Sequence, residues 1–192
     1  MELSKKEFRA MNHPVRRFLQ RTLEFPLFKK FGLADAHKRI LEIGCGSGYG
    51  AMLLSNLKPS LYYGIDIMPE QIELARKRNL AGCCFRVADA SRLSFLANES
   101  FDYIVIFGIL HHMPEWKETI KEGSRVLVRG GMLFLEEPDK RFIAAWDSVF
   151  KWGHTSPGFL LKELEGEMTG NGFQIMKKIR FAVMGAYSAV KC

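Results

Sequence analysis

The sequence predicts an α/β protein built on a mostly parallel sheet with helices on both faces. From residue 39 onward, patterns typical of strands and helices alternate, and this alternation favours parallel strands joined by helices. The segment Tyr103–Phe107 is continuously apolar, as expected for a strand covered on both faces. Two further strand patterns, at 172–180 and 184–191, lie close enough along the chain to pair as an antiparallel hairpin.

The order of elements follows from these patterns. The first core strand, 39–43, leads directly into a glycine-rich turn, and Pro69 suits the first turn of a later helix. A short helix is expected between the third and fourth strands. The remaining predicted strands are 61–65, 84–88, 102–107 and 131–136, and the predicted helices are 48–57, 69–79, 115–127 and 156–170.

The first 35 residues predict a basic helical extension, a candidate lid, ahead of a domain at 36–192. The apolar residues Val15, Phe18, Leu19 and Leu23 are spaced to share one face of a helix. Pro26 is expected to end that helix, since the residue before a proline is disfavoured in the α region. Residues 1–39 hold ten basic and four acidic side chains and so contribute +6 of the net charge of +7.

Composition indicates an ordinary globular domain. The chain has 192 residues, of which 47% are hydrophobic and 26% charged, enough for one sizeable core. It contains no run of eighteen apolar residues and begins without an apolar signal core, so we expect a cytoplasmic protein. Its four cysteines show no C-x-x-C spacing, so we expect reduced thiols and no metal site.

The most informative motif is the glycine-rich turn after the first core strand. Its pattern is E-x-G-x-G-x-G, from Glu42 through Gly48, and Asp66 ends the next strand. A strand, a turn without side chains, a helix and a strand-end carboxylate form a nucleoside-binding half-site, in which the carboxylate accepts hydrogen bonds from ribose hydroxyls. Tyr49 stands where a dinucleotide fingerprint needs its third glycine, which disfavours a nicotinamide dehydrogenase.

This turn resembles motif I of the class I S-adenosylmethionine-dependent methyltransferases. The resemblance continues through four later segments in the family's order and covers roughly residues 38 to 138; those segments are Gly64–Met68, Arg86–Ala90, Phe101–His112 and Leu127–Leu135. It implies a Rossmann-like, seven-stranded, mostly parallel sheet with an antiparallel last strand, and S-adenosylmethionine as cofactor. The sequence is similar to the small-molecule group that includes ubiquinone and menaquinone methyltransferases.

The resemblance also implies roles for individual residues. Asp66 would accept the ribose hydroxyls, and Glu42 would hold the cofactor's amino group or merely organise the loop. Asp89 would meet the adenine amino group or cap the following turn. His112 is a candidate catalytic residue that either lines the active site or packs the loop. The further cofactor-binding residues expected from the resemblance are Gly44, Cys45, Gly46, Gly48, Ile67, Met68, Ala90 and Phe107.

The methyl acceptor is expected to be a small molecule, plausibly apolar or lipid-like. Aromatic residues in 142–154, together with Trp116, would cover such a substrate or pack on the sheet. The basic N-terminal helix would allow peripheral contact with an anionic membrane. RNA methylation, with the basic segment holding phosphates, is the alternative, and nucleic acid is the less favoured partner because no RNA-binding module accompanies the domain. A non-catalytic scaffold that binds a partner through residues 1–35 is a third hypothesis.

Overall fold

The computed structural model describes residues 12–150, 156, 158–181 and 183–192. These residues form a seven-stranded sheet in the order β3-β2-β1-β4-β5-β7-β6. Strands β1 to β5 are parallel, and β7 pairs antiparallel with both β5 and β6. The strands are β1 Arg39–Ile43, β2 Leu61–Asp66, β3 Cys83–Val87, β4 Phe101–Phe107, β5 Leu127–Pro138, β6 Phe173–Phe181 and β7 Met184–Lys191.

Helices connect the strands and cover both faces of the sheet, which confirms the predicted fold class. Within the described residues the helices are α1 Pro14–Leu19, α2 Phe25–Phe31, α3 Tyr49–Leu54, α4 Pro69–Arg76, α5 Trp116–Val126, α6 Lys140–Phe150 and α7 Leu161–Gly170. Short 3₁₀ turns follow α3 at Ser55–Leu57 and β4 at Leu110–His112. The predicted helix at 156–170 begins later than expected, at Leu161.

The side chains of β4 point alternately to the two faces of the sheet, and the core has one layer on each face. Ile104 and Ile106 pack on one face with buried residues of α5 and α7. Tyr103, Val105 and Phe107 point to the opposite face and pack with residues of α2 and α3. A strand whose side chains are buried on both faces must be apolar throughout, so the continuous apolar run in β4 is explained.

The N-terminal helical segment does not end at Pro26, and that expectation was wrong. A π-helical turn, Gln20–Glu24, joins α1 to α2, and the chain stays helical until Gly32, whose φ is +117°. In this turn the Phe25 N–H bonds to the Gln20 carbonyl, five residues earlier. The wider turn places Pro26 in the first turn of α2, where its missing N–H leaves few helical bonds unmade.

The same segment is anchored to the sheet through α2. Phe28 is fully buried and stacks on Phe107 with ring centroids 5.2 Å apart. Its ring centroid lies 6.0 Å from that of Phe134 on β5. Upstream of α2 the predicted apolar face points outward, with Val15 57%, Phe18 64% and Leu23 62% exposed. The inward face of α1 and the π-helical turn is therefore polar.

Candidate functional site

The strand order reverses between β1 and β4, and ligands of open α/β sheets bind beyond the carboxyl ends of the strands at such a point. The turn after β1 lies there. The Gly44 and Cys45 N–H groups both donate to the Ile65 carbonyl at 2.9 Å, which fixes the turn against β2. Gly44 has a φ of +71°, and a Cβ there would lie 2.5 Å from Cγ2 of Ile109. Only glycine satisfies both the backbone angle and the contact.

Asp66 ties this turn to the end of β2. Its Oδ2 accepts the Gly46 N–H and its Oδ1 accepts the Met68 N–H, each at 2.9 Å. Burial raises the pKa of Asp66, while the backbone N–H groups of Met68, Gly46 and Ile67 act in the opposite direction. The carboxylate is thus held in one orientation at the rim of a cavity, and each oxygen retains a second lone pair for a ligand.

The large cavity has a volume of about 300 Å³ and opens beside this carboxylate. Its wall is mainly apolar, with carboxyl groups from Asp66, Asp89 and Glu115. A Cβ built on Gly46 would meet no protein atom within 4 Å, so the turn leaves space for a ligand on that side. The lining residues are Gly44, Gly46, Ile65, Asp66, Ile67, Met68, Gln71, Ala88, Asp89, Ala90, Ser91, Ile109, Met113, Pro114, Glu115 and Thr119.

Asp89 caps the turn that follows it, and its contact with the adenine amino group stays a prediction. It lines the large cavity, and its Oδ1 also accepts hydrogen bonds from the Ser91 N–H at 2.9 Å and the Ser91 hydroxyl at 2.7 Å. Capping uses one carboxyl oxygen, so the two roles are compatible. The apolar side chains of Ile67 and Ala90 and the carboxylates of Asp66 and Asp89 line the same cavity. This combination suits a nucleoside, because the ring needs apolar cover and the sugar needs acceptors.

A second, small cavity of about 40 Å³ adjoins the large one and shares Gly44, Gly46 and Gln71 with it. Its wall carries polar and apolar surface in similar amounts and combines the turn after β1 with the N-terminal helical segment. The lining residues are Arg16, Gln20, Glu42, Gly44, Cys45, Gly46, Ser47, Tyr49, Gly50, Gln71 and Phe107. The two cavities together form one elongated site around the glycine turn.

Glu42 lies in the wall of the small cavity and is only 2% exposed. Its Oε2 accepts the Tyr62 hydroxyl at 2.5 Å, and its Oε1 lies so close to Gly50 that any side chain there would clash. Burial raises the pKa of Glu42 to about 8, the Tyr62 hydrogen bond and Arg16 oppose that rise, and Asp66 adds to it. This carboxyl is therefore suited to ionise when a cation binds beside it.

Gly48 and His112 lie outside the described lining of both cavities. Gly48 has a φ of +76°, and a Cβ there would sit 3.0 Å from the Ala75 Cβ, so this glycine allows α3 to start close to α4. His112 is 5% exposed, and its ring centroid is 4.0 Å from that of His111. Its catalytic role stays a prediction.

His111 has the more elaborate environment of the two histidines. Its Nδ1 lies 2.7 Å from Oε2 of Glu137, and Glu137 is fully buried. The same carboxylate accepts the backbone N–H groups of Ile109, Leu110 and His111 at 3.0, 2.7 and 3.2 Å. Glu137 thus fixes the loop after β4, which carries Ile109 into the wall of the large cavity.

The aromatic residues expected near the acceptor are divided between packing and positions outside the described structure. Trp116 is 8% exposed, and its ring centroid lies 4.6 Å from that of Phe159, so it belongs to the core. Residues 142–150 lie in α6, where Ile143 is buried and Phe142 is half-buried. Residues 151–154 of the same aromatic stretch, like residues 1–11 of the basic extension, lie outside the described residues.

Sequence reasoning missed the residues that reach the site from elsewhere in the chain. Arg16 and Gln20 come from the N-terminal segment, Gln71 from α4 and Thr119 from α5. Gln71 is 2% exposed and accepts a hydrogen bond from Asn12 at 3.3 Å. A polar residue one turn into a helix carries no distinctive signal, so none of these positions is identifiable from its local sequence.

Two further kinds of feature are absent from the described residues. No helix among them is both long enough and apolar enough to cross a bilayer. Within the same residues, histidine, cysteine, aspartate and glutamate side chains form no group of three or more that would hold a metal ion.

Comparison with known proteins agrees with this geometry. Residues 41–135 match the family described as "Methyltransferase domain". A phthiotriol/phenolphthiotriol dimycocerosates methyltransferase of Mycobacterium leprae is 43% identical over 98 residues, which cover 50% of this chain and 36% of that relative. A fatty-acid O-methyltransferase of Mycolicibacterium smegmatis is 34% identical over 113 residues, covering 57% of this chain and 41% of the relative. The chain thus spans less than half the length of either.

A solved structure extends the likeness to the whole chain. The structure of a SAM-dependent methyltransferase from Aquifex aeolicus superposes with a TM-score of 0.79 over 100% of both chains, at 17% identity. At this identity the likeness concerns the fold, including the seven-stranded sheet and its reversed last strand.

Proposed function

We propose that this chain, which belongs to the class I S-adenosylmethionine-dependent methyltransferases, transfers a methyl group from S-adenosylmethionine to an apolar or lipid-like small molecule. The observation that carries the proposal is the pair of joined cavities at the carboxyl edge of the sheet, one suited to a nucleoside and the other to an amino acid. When bound, the cofactor supplies an electrophilic methyl group on a sulfonium.

The residues of the large cavity would bind and orient the nucleoside end. Asp66 accepts the ribose hydroxyls with the lone pairs that the backbone leaves unused. Ile67 and Met68 pack on the adenine ring, and Ala90 lines the same cavity. Asp89 accepts a hydrogen bond from the adenine amino group. In the small cavity, Glu42 holds the ammonium of the amino-acid end. Holding both ends fixes the reactive centre between them, and this alignment supplies much of the rate acceleration of a methyl transfer.

The proposed acceptor class is supported by the relatives. Two of them are named for a dimycocerosate lipid and for a fatty acid. A hydroxyl acceptor needs a proton acceptor, whereas an ionised carboxylate does not, and the loop after β4 places His111 and His112 near the carboxyl edge of the sheet. We propose His112 as the residue that takes this proton, and we expect His112→Asn to lower kcat more than cofactor affinity.

Calorimetry of cofactor binding tests the proposal first. The native protein should bind S-adenosylmethionine and S-adenosylhomocysteine saturably, and Asp66→Ala should weaken both by about a hundredfold or more, because a charged acceptor and the anchor of the turn are lost together. Glu73→Ala on the exposed side of α4 is the matched control and should bind normally. If the native protein binds neither ligand, the methyltransferase proposal is wrong and the scaffold hypothesis takes its place.

A second proposal concerns peripheral contact with an anionic membrane. The exposed side chains of Val15, Phe18 and Leu23 form an apolar stripe on the N-terminal helical segment, and exposed Arg21 lies beside them. A basic helix with an apolar outer face is suited to the surface of an anionic bilayer. Such an orientation would bring the carboxyl edge of the sheet, where the segment docks, close to lipid acceptors.

Vesicle binding distinguishes this contact from RNA binding. Phe18→Ser with Leu23→Ser should abolish sedimentation with phosphatidylglycerol vesicles without changing cofactor affinity, because neither residue lines a cavity. Neutral phosphatidylcholine vesicles serve as the control. Unchanged sedimentation of the double variant would refute the membrane contact, and salt-sensitive RNA affinity that ignores the two serines would favour the RNA alternative.

A further inference from the structure

The small cavity is lined in part by Arg16 and Gln20 of the N-terminal helical segment, which lies outside the matched family region at 41–135. We propose that Arg16 and Gln20 bind the carboxylate of the cofactor's amino-acid end, which makes the N-terminal segment a part of the cofactor site. The inference rests on the proposed function. It assigns to two residues the binding of the ligand carboxylate, for which the glycine turn offers no charged partner.

Charge complementarity supports this assignment. An α-amino acid carries an ammonium and a carboxylate, and the small cavity offers a partner for each, Glu42 for the ammonium and Arg16 for the carboxylate. Of the described residues that line the two cavities, Arg16 alone is cationic. A carboxylate removed from water requires a cation or several hydrogen-bond donors, and the Gln20 side-chain amide adds a donor on the same segment.

The contacts that hold Arg16 leave part of its guanidinium available. Its Nη1 donates to both carboxylate oxygens of Glu24 at 2.5 and 2.7 Å. Its Nη2 makes only long contacts, 3.3 Å to the Phe107 carbonyl and 3.5 Å to Oε1 of Glu136. A guanidinium has five N–H donors in a fixed plane. Glu24 therefore orients the group, while its remaining donors keep capacity for a ligand carboxylate.

The buried carboxyl beside Arg16 is a weak competitor for its charge. Glu136 is 5% exposed. Burial and the nearby Glu24 raise the pKa of Glu136 well above its ordinary value, although Arg16 opposes the rise. A carboxyl that tends to keep its proton leaves the Arg16 charge available to a ligand. Bound ligand and docked segment then stabilise each other, since Arg16 touches both.

The test compares two ligands that differ at one end. S-adenosylhomocysteine carries the amino-acid end, and 5′-methylthioadenosine shares its nucleoside but lacks that end. Calorimetry on Arg16→Met should show a tenfold to hundredfold loss of S-adenosylhomocysteine affinity, the range for one charge-assisted contact, with 5′-methylthioadenosine affinity within about twofold of native. Gln20→Met, which leaves the contacts of Arg16 with Glu24 and Glu136 in place, should show a smaller loss with the same selectivity. Arg21→Met is the exposed control.

Hydrogen exchange supplies a readout that does not depend on affinity. S-adenosylhomocysteine should slow amide exchange across residues 14–31 of the native protein, and 5′-methylthioadenosine should not. Equal weakening of both ligands in both variants would overturn the inference, since Arg16 would then act only by holding the helix. Failure of the native protein to bind either ligand would instead remove the proposed function itself, so the two failures are distinguishable.

Discussion

The large and small cavities meet at Gly44 and Gly46, yet their walls are held in different ways. The large cavity is built from strand ends and the turns that follow them, and its principal carboxylate, Asp66, is fixed by backbone N–H groups. The small cavity is closed by Arg16 and Gln20, which come from a segment docked on the sheet from outside. The proposed nucleoside half is therefore preorganised by the sheet, whereas the proposed amino-acid half depends on charged contacts between separate elements.

The largest expected effect comes from substituting Gly44, which lines both cavities. Gly44→Ala places a Cβ against Ile109 at a φ of +71°, which should lower the free energy of unfolding by about 2–4 kcal/mol and abolish measurable binding of both nucleoside ligands. Urea denaturation and calorimetry check the two parts. Gly46→Ala should cost only about 1 kcal/mol but should still weaken binding, since its Cβ would enter the space left for a ligand.

The matched control for these variants is Gly82→Ala. Gly82 has a φ of +73°, and a Cβ at this position would meet no protein atom within 4 Å. It belongs to the lining of neither cavity. Gly82→Ala should lose stability like Gly46→Ala and bind ligand normally. Normal binding by Gly46→Ala as well would mean that the turn does not face the ligand.

The carboxylates Asp66 and Asp89 of the large cavity were predictable because each stands at or just after the end of a strand. Parallel strands bring their carboxyl ends to one edge of the sheet. The continuous apolar run of β4 indicated the centre of the sheet in the same way. To predict these features one needs only the order of the strands. The alternation of strands and helices and the order of the motifs supply that order.

The contribution of Arg16 and Gln20 to the small cavity was not predictable, for a reason visible in α1 and the π-helical turn. An amphipathic pattern shows that a helix has two faces but not which face docks. Here Val15 and Phe18 point outward, while Arg16 and Gln20 point inward, because the surface they meet carries the buried carboxyls of Glu42 and Glu136. The prediction that the helix ends at Pro26 was wrong because the π-helical turn lets the helix continue past this proline.

A change confined to the small cavity should separate the two halves. Glu42→Gln keeps the shape and the contact with the Tyr62 hydroxyl but removes the charge that faces the ligand ammonium. We expect S-adenosylhomocysteine to bind about tenfold or more weakly and 5′-methylthioadenosine to bind as before. Isothermal titration of both ligands checks this. An equal loss for the two ligands would assign Glu42 to the loop alone.

The pH dependence of the same contact gives an intermediate effect. The ligand ammonium favours ionised Glu42, and the pKa of that carboxyl is raised to about 8. Native affinity for S-adenosylhomocysteine should therefore rise by up to about tenfold per pH unit from pH 6 to 8. Asp66, Tyr62 and Arg16 also face this carboxyl, but Asp66 acts on both ligands. The ratio of the two affinities removes the contribution of Asp66, and its rise with pH should be weaker in Glu42→Gln, where Glu24 and Glu136 still titrate beside Arg16.

The free energy of unfolding should change with pH in the direction opposite to that of the ligand affinity. A carboxyl whose pKa is higher in the folded state binds more protons there than in the unfolded chain, so the free energy of unfolding falls as pH rises from about 4.5 to about 8. Glu24 and Glu136 share this direction of shift in pKa. Glu42→Gln should make the slope shallower by up to about 1.4 kcal/mol per pH unit, and an unaltered slope in urea titrations would contradict the raised pKa.

The smallest expected effect tests the rim of the large cavity at Asp89. Its Oδ1 already accepts two hydrogen bonds from Ser91, and an amide oxygen in Asp89→Asn can retain both. The other oxygen becomes an amide donor, which cannot accept from the adenine amino group. Both nucleoside ligands should therefore bind about two- to tenfold more weakly, with the free energy of unfolding within about 0.5 kcal/mol of native. Ser91→Ala removes only the hydroxyl bond to Oδ1 and so measures separately what the cap contributes to stability. Unchanged affinity in Asp89→Asn would leave Asp89 as the cap of its turn and transfer adenine recognition to the apolar walls of the cavity.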